Sequence, residues 1–144
     1  MELLKFKEKF NIKELHIYET EYWIWSLRPI QATLGAGVLS LKRECPVFGE
    51  LIQEEFSDMN NIIRVIEKTL KKAFDYDVIN YLMLMMVDKQ VHFHVIPRYN
   101  RNINVFDIKW KDLSWPGVPN LLVDELEMEV LLKIKDVIKE NLIV

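Results

Sequence analysis

The sequence predicts an α+β domain with a mainly antiparallel sheet, one long central helix and a C-terminal helix. Two observations lead to this prediction. Apolar residues recur at steps of three and four in two segments, the mark of amphipathic helices, and strand-like runs lie before and after the first of them. The 144 residues, half of them hydrophobic, are enough for one sizeable core. We therefore expect a single domain over residues 1–144.

The first third of the chain is expected to be extended. Residues 13–28 include the run Tyr-Trp-Ile-Trp at positions 22–25, and strands favour such aromatic and β-branched residues. Arg28 is followed by a proline, which is expected to end this region. Residues 34–41 form a second strand, whose two glycines indicate that backbone or ligand comes close.

A long helix is predicted over residues 48–74. Its apolar face is formed by Phe48, Ile52, Phe56, Met59, Ile63, Ile66, Leu70 and Phe74. Glutamates lie near the start of this segment and lysines near its end. This order complements the helix dipole, which favours negative charge at the N-terminus and positive charge at the C-terminus.

The second half of the chain is predicted to contain a hairpin and a helix. Residues 79–86 are an apolar run, and a second strand-like run covers residues 90–98, so we expect a hairpin with a short connection. Residues 99–120 are polar and irregular. The pattern then predicts a helix over residues 121–142.

Composition excludes several classes of function. The formal net charge is -3 and acids and bases are mixed along the chain, so nucleic acid is not expected as a partner, whereas a nucleotide stays open. Cys45 is the only cysteine, which excludes a disulfide framework and a cysteine-rich zinc site. With neither a signal peptide nor an apolar run long enough to span a membrane, the expected compartment is the cytoplasm.

The histidines indicate where chemistry would occur. Two of the three histidines, His92 and His94, stand one residue apart within a strand-like run. Alternate side chains of a strand point to opposite faces, so these two and Gln90 are expected to share one face, with apolar residues on the other. Three polar side chains in a row on a rigid backbone can bind an anion through hydrogen bonds.

Residues 90–98, Gln-Val-His-Phe-His-Val-Ile-Pro-Arg, resemble the signature of the histidine triad (HIT) family, His-φ-His-φ-His-φ-φ, where φ is apolar. The layout is also similar, with early strands, a long helix and then the hairpin that carries the motif. Lys42-Arg43 falls where HIT proteins often carry a basic pair. The resemblance covers roughly residues 20–117 and implies a single HIT-like domain that assembles as a homodimer.

The chain departs from the family pattern at two places. Gln90 stands where the first histidine of the triad is expected, and residues 85–89 replace a Gly-Gln-Ser or Gly-Gln-Thr loop that touches phosphate in many members. Gln-φ-His-φ-His followed by Trp115-Pro116 resembles a bacterial HIT-like branch. These departures leave the leaving group and the base preference open.

The resemblance implies hydrolysis of a dinucleoside polyphosphate or a nucleoside phosphoramidate, with adenosine as the nucleoside. His92 would attack the α-phosphorus, and water would then cleave the nucleotidyl-histidine, which is covalent catalysis. His94 would donate a hydrogen bond to a phosphate oxygen. Gln90 can donate but cannot shuttle a proton at neutral pH, so its expected role is binding. No cofactor is required, and Mg²⁺ accompanying a polyphosphate substrate is left open.

Seven further residues are candidates for substrate contact: Asn80, Lys89, Arg98, Trp115, Ser40, Ser26 and Arg28. Asn80 resembles an asparagine near the phosphates of some HIT proteins, although a turn role is equally open. Lys89 and Arg98 flank the motif and could add positive field or simply be solvated. Trp115 could shelter a base or pack under its loop. The last three are candidates for contacts to ribose or phosphate.

Two alternative functions stay open. The first is a nucleotide-binding module with little catalysis, which the glutamine at position 90 and the replaced loop both favour. The second is a metal site, in which His92 and His94 bind a divalent ion with Asp88 or another acid as the third ligand. Because His16 is distant in sequence, the metal site ranks lower.

Overall fold

The computed structural model describes residues 2–144. Its helices and strands are α1 (Glu2–Lys9), β1 (His16–Glu19), β2 (Trp23–Leu27), β3 (Gly37–Leu41), α2 (Gln53–Phe74), β4 (Val78–Leu82), β5 (His92–Arg98), β6 (Ile103–Val105), β7 (Ile108–Trp110) and α3 (Met128–Glu140). The main sheet has the order β1-β2-β3-β5-β4, and β6 and β7 form a separate two-stranded sheet. All neighbouring strands are antiparallel. The predicted α+β class is therefore confirmed.

The long helix and the C-terminal helix pack on one face of the main sheet. This face carries the indoles of Trp23 and Trp25 on β2, both fully buried, and Ile66 of α2 and Ile134 of α3 belong to the same core. The indole nitrogen of Trp23 donates a hydrogen bond of 2.8 Å to the carbonyl oxygen of Glu55. Burial of these large side chains is the main favourable term that holds the helices to the sheet.

The short N-terminal helix α1 covers the opposite face of the sheet. Phe6 of α1 and the residues Phe10 and Ile12 that follow the helix form a second buried cluster. The cluster also includes Ile24 of β2 and Val38 of β3. No helix is predicted for residues 2–9 from the sequence, because eight residues contain too few turns for a clear apolar period. This helix lies over the face that carries the even-numbered residues of β5.

The strand register places the histidines in the middle of that face. His92 pairs with Ser40 and His94 pairs with Val38, both on β3. On the other side of β5, Leu82 of β4 pairs with His94. Because directly paired residues of antiparallel strands point to the same face, the histidines lie under α1, away from the main helical core.

Three predicted boundaries are wrong. The central helix begins at Gln53 after a separate 3₁₀ turn, because the Glu55 carboxylate accepts the Ile52 N–H at 2.9 Å and starts the helix there. The connection between β4 and β5 is long, over residues 83–91. The C-terminal helix begins at Met128, because residues 121–127 run irregularly beside the histidine face. Among residues 2–144, the helices are all too short or too polar to cross a membrane.

Candidate functional site

A cavity of about 590 Å³ opens on the histidine face. It is lined by five parts of the chain: Lys9 and Phe10 at the end of α1, residues 28–30 after β2, residues 84–88 between β4 and β5, the two β5 histidines, and residues 119–122 with Glu125. Its volume lies within the usual range for small-molecule sites. The site therefore combines rigid strand positions with segments that have no regular structure.

The ring of His92 is held in one tautomer. Its Nδ1 lies 2.5 Å from the backbone carbonyl oxygen of Gln90. A carbonyl oxygen only accepts hydrogen bonds, so Nδ1 carries the proton and the neutral ring keeps its lone pair on Nε2. Burial lowers the pKa of His92 below its ordinary value, which favours this neutral form. The ring is 2% exposed, and the rings of Phe6 and Phe10 lie 4.8 and 5.7 Å from it, centre to centre.

His94 is held in the opposite tautomer. Its Nδ1 accepts a hydrogen bond of 3.2 Å from Nε of Arg28. A guanidinium only donates, so the proton of the neutral His94 ring sits on Nε2. Burial and, after it, the nearby positive charge of Arg28 lower the pKa of His94 to about 4. His94 is therefore a neutral hydrogen-bond donor at neutral pH.

The two rings thus offer complementary chemistry to the same cavity. Their centres lie 5.1 Å apart, with the ring planes at 81°. The Nε2 atom of His92 has a free electron pair, and the Nε2 atom of His94 has a hydrogen. This pair can attack an electrophilic centre with one nitrogen and donate a hydrogen bond beside it with the other.

Gln90 does not lie in the row with the histidines. Its amide nitrogen donates to the carbonyl oxygens of Leu41 at 2.9 Å and Arg43 at 2.6 Å, and its amide oxygen accepts the Cys45 N–H at 2.9 Å. Both amide hydrogens are therefore engaged by the end of β3 and the segment after it. The expected alternation fails here because β5 begins at His92, so the strand pleat does not extend to Gln90.

Arg98, Asn80 and Trp115 form a separate cluster. Arg98 donates from Nε to Asp112 at 2.6 Å and from Nη1 to Asn80 at 2.9 Å. Its guanidinium carbon lies 6.0 Å from the centre of the Trp115 ring. None of these residues lines the histidine cavity. The interpretation of Arg98 as a solvated charge is wrong, because the segment around Asp112 folds over the guanidinium and leaves it 4% exposed.

Three other candidate residues also lie outside the cavity. Lys89 is exposed. Ser40 of β3 is buried and pairs with His92 of β5. Ser26 is buried as well, and its hydroxyl has no hydrogen-bond partner among residues 2–144. Asp88, the suggested third metal ligand, is instead 2.7 Å from the ammonium group of Lys9. In the described part of the chain, no three His, Cys, Asp or Glu side chains are grouped as metal ligands.

The structure adds cavity residues that the sequence analysis did not identify. Residues 84–88 and 119–122 contribute mostly apolar walls. One signal for the first segment was present, since the apolar run after β4 continues into Met86 and Val87, which are largely exposed. Arg28, which the sequence indicated only as one of several contact candidates, lines the cavity and donates a hydrogen bond to His94.

The sequence itself matches no protein-family model. It also matches no curated protein. The structure, in contrast, is similar to many solved structures of histidine triad proteins.

A histidine triad protein from Sinorhizobium meliloti is 21% identical, with a TM-score of 0.71 over 92% of this chain and 93% of that one. A HIT-like protein involved in cell-cycle regulation, from Bartonella henselae, is 20% identical, with a TM-score of 0.67 over 89% and 86%. Plasmodium falciparum diadenosine triphosphate hydrolase is 16% identical, with a TM-score of 0.66 over 89% and 76%. The chain therefore has the HIT fold, as its motif and layout indicated.

Proposed function

We propose that this HIT-fold protein is a nucleotide hydrolase or transferase that cleaves at the α-phosphate through a nucleotidyl-His92 intermediate. The observation that carries the proposal is the pair of opposite tautomers at the cavity. The backbone carbonyl oxygen of Gln90 accepts a hydrogen bond from Nδ1 of His92. Arg28 donates a hydrogen bond to the Nδ1 lone pair of His94. One ring is left as a nucleophile and the other as a donor for phosphate oxygen.

In the first step, the Nε2 lone pair of His92 attacks the α-phosphorus and a P–N bond forms. The bond from phosphorus to the leaving group breaks, and the leaving group takes the bonding electrons. The Nε2 hydrogen of His94 donates to a non-bridging oxygen, whose charge it stabilises in the transition state. Because Nδ1 stays protonated, the phosphorylated His92 ring is cationic and remains a good leaving group.

In the second step, water attacks the same phosphorus and the P–N bond breaks. The electron pair returns to Nε2, and the water loses a proton to solvent as the nucleoside monophosphate forms. An alcohol or phosphate in place of water would make the reaction a transfer. His92 ends in its starting tautomer, because the hydrogen bond to the Gln90 carbonyl keeps the proton on Nδ1 throughout.

The surroundings of the histidines support a leaving group that departs as an anion. Gln90 cannot supply a proton, and His94, with a pKa of about 4, is rarely protonated at neutral pH. A polyphosphate can depart without a proton, whereas an amine departing from a phosphoramidate requires one. Between the two expected substrate classes, we therefore propose a dinucleoside polyphosphate as the better substrate. Mg²⁺ would enter, where needed, as part of that polyphosphate.

Adenosine is the proposed nucleoside. The cavity walls beyond the histidines are mostly apolar and include Phe10, Pro29, Ile30 and Leu121. Apolar walls of this kind suit a flat purine ring. The resemblance to diadenosine triphosphate hydrolase from Plasmodium falciparum supports the same base.

The test is to incubate the protein with diadenosine polyphosphates and with adenosine phosphoramidate, and to measure release of AMP. We expect faster release from the polyphosphates. Rapid quenching followed by mass analysis should find AMP attached to His92 during turnover. Release of AMP without any such adduct, under conditions where substrate is saturating, would contradict the covalent route.

The second candidate function is a nucleotide-binding module with little catalysis. It is favoured by the engaged amide of Gln90 and by the near-complete burial of His92. AMP binding by the wild-type protein with no AMP released from any of these substrates would support it. A metal-dependent hydrolase, in contrast, would lose its activity when a chelator is added.

We also propose that the protein forms a homodimer. Strand β4 lies at the edge of the main sheet, and an unpaired edge can add a further strand. The side chains of Phe48, Ile52 and Phe56 are 40–49% exposed, and the rings of Phe48 and Phe56 lie 5.9 Å apart. Sedimentation of the wild-type protein and of Phe56→Glu would test this, since the charge should shift a dimer toward the monomer.

A further inference from the structure

The guanidinium of Arg28 is buried without an acidic partner. The residue follows β2 and is 7% exposed. The ion pairs among residues 2–144 do not include Arg28. Burying an unpaired charge is costly, so such a charge calls for a compensating anion. A guanidinium in this position suits a phosphate, because a permanent positive charge with N–H donors binds phosphate oxygens strongly.

The hydrogen bonds of Arg28 leave one nitrogen unused. Nε donates to His94, and Nη1 donates to the backbone oxygens of Ile30 at 2.9 Å and Leu121 at 3.0 Å. Nη2 makes no hydrogen bond to residues 2–144, yet Arg28 is part of the cavity wall. The three bonds hold the guanidinium still, and Nη2 is the nitrogen that remains for a ligand.

The acidic groups at the cavity do not neutralise Arg28. Asp88 is paired with Lys9 at 2.7 Å. Glu125 lines the same cavity, is exposed and forms no ion pair with Arg28. The histidines next to Arg28 are neutral in the tautomers described above. The charge of Arg28 beside His94 is therefore not neutralised by an ion pair.

We propose that Arg28 binds the α-phosphate through Nη2 and positions His94 through Nε, so that it supplies the second phosphate donor that Gln90 does not. This inference rests on the proposed function, since it concerns the same phosphate. Arg28 contributes in two ways. Its charge holds the anion, and its Nε hydrogen bond keeps the proton of His94 on Nε2, where it faces the phosphate oxygen.

The first test compares the binding of AMP and adenosine by calorimetry. The two ligands differ in the phosphate, so the ratio of their affinities isolates the contact of interest. We expect Arg28→Met to lower this ratio by about 10- to 100-fold, the usual effect of removing a hydrogen bond to a charged group. Arg101→Met is the matched control, because Arg101 is exposed, pairs with Asp77 and does not line the histidine cavity. The affinity ratio of this variant should not change.

A second variant guards against a purely structural effect. Arg28→Gln keeps amide donors for the carbonyl oxygens of Ile30 and Leu121 while it removes the charge. Damage to the fold would weaken both ligands together, whereas loss of the phosphate contact lowers only the affinity for AMP. An unchanged ratio in whichever of the two variants folds would overturn the proposal.

The second test reads the tautomer of His94 directly from its ring ¹⁵N shifts at neutral pH. In the wild-type protein Nε2 should be protonated and Nδ1 should not, and Arg28→Met should give a mixture of both tautomers. A His94 ring that keeps the proton on Nε2 in Arg28→Met would refute the positioning role. If the wild-type protein binds AMP through Arg28 but releases none from the substrates, the proposed hydrolysis fails while Arg28 remains the phosphate-binding residue.

Discussion

The Nδ1 atom of His92 and the carbonyl oxygen of Gln90 lie 2.5 Å apart, and this contact uses only the backbone of Gln90. The side chain at position 90 instead bonds the end of β3 and the segment after it. A glutamine in place of the first motif histidine therefore leaves the orientation of His92 intact. The glutamine side chain instead holds the end of β3 and the segment after it, while the ring of His92 keeps its orientation.

His92→Asn should abolish turnover and leave binding largely intact. Asparagine can still donate to the Gln90 carbonyl, but its amide has no nucleophilic nitrogen. We expect kcat to fall by at least about 1,000-fold, with the affinity for AMP changed only a few-fold. The control is His16→Asn, since His16 lies on β1 and bonds Glu19. Substantial AMP release by His92→Asn would rule out this residue as the nucleophile.

Stability should fall in mild acid because of the buried histidines. The pKa of His94 is lowered to about 4 in the folded protein, whereas in the unfolded chain it should be close to 6.5. The unfolded state therefore binds more protons between these values, and the contribution of His94 is complete above about pH 6.5 and lost as the pH falls toward about 4. His92, whose pKa is also lowered, acts in the same direction.

Urea unfolding at a series of pH values measures this dependence. Carboxylates titrate in the same range, so the informative quantity is the difference between wild type and His94→Gln. The variant should lose less stability between pH 6.5 and 4.5. Parallel curves for the two proteins would mean that His94 is not held neutral by the fold.

Gln90→Leu should destabilise the protein while it leaves the phosphate site in place. The change removes the partners of three backbone groups, those of Leu41, Arg43 and Cys45. The groups of Leu41 and Cys45 are buried and that of Arg43 is part-buried, so their loss of partners should lower the free energy of unfolding by about 2–4 kcal/mol. Lys89→Ala, at the exposed neighbouring position, should cost less than about 0.5 kcal/mol. A Gln90→Leu variant that remains stable but cannot bind AMP would instead indicate a direct role in binding.

Arg98→Met should also destabilise the protein without a specific effect on AMP. The side chains of Arg98 and Asp112 are 4% and 3% exposed, so the change leaves an unpaired buried carboxylate at a cost of about 3–5 kcal/mol. The double variant Arg98→Met/Asp112→Leu removes both charges and should recover much of this loss. Arg101→Met, which breaks exposed ion pairs, should cost less than about 1 kcal/mol. A normal stability for Arg98→Met would contradict the buried pair.

Local patterns in the sequence determined the fold class and the position of the two histidines on one strand. Helical and strand periods are properties of neighbouring residues, and the antiparallel α+β arrangement they predicted is confirmed. The motif at 90–98 also predicted the HIT fold. The strand pleat brings His92 and His94 to the same cavity, as alternation requires.

The tertiary structure alone decided which other residues accompany the histidines. Arg28 is 66 positions from His94 in sequence and reaches it only because β2, β3 and β5 pair in register. Arg98, only four residues from His94, belongs to a different cluster because Asp112 covers it. Sequence spacing describes neighbours along one element, whereas partners from distant elements depend on sheet order and on how irregular segments cross the sheet. The ring tautomers, and with them the chemistry of the site, follow from those distant partners.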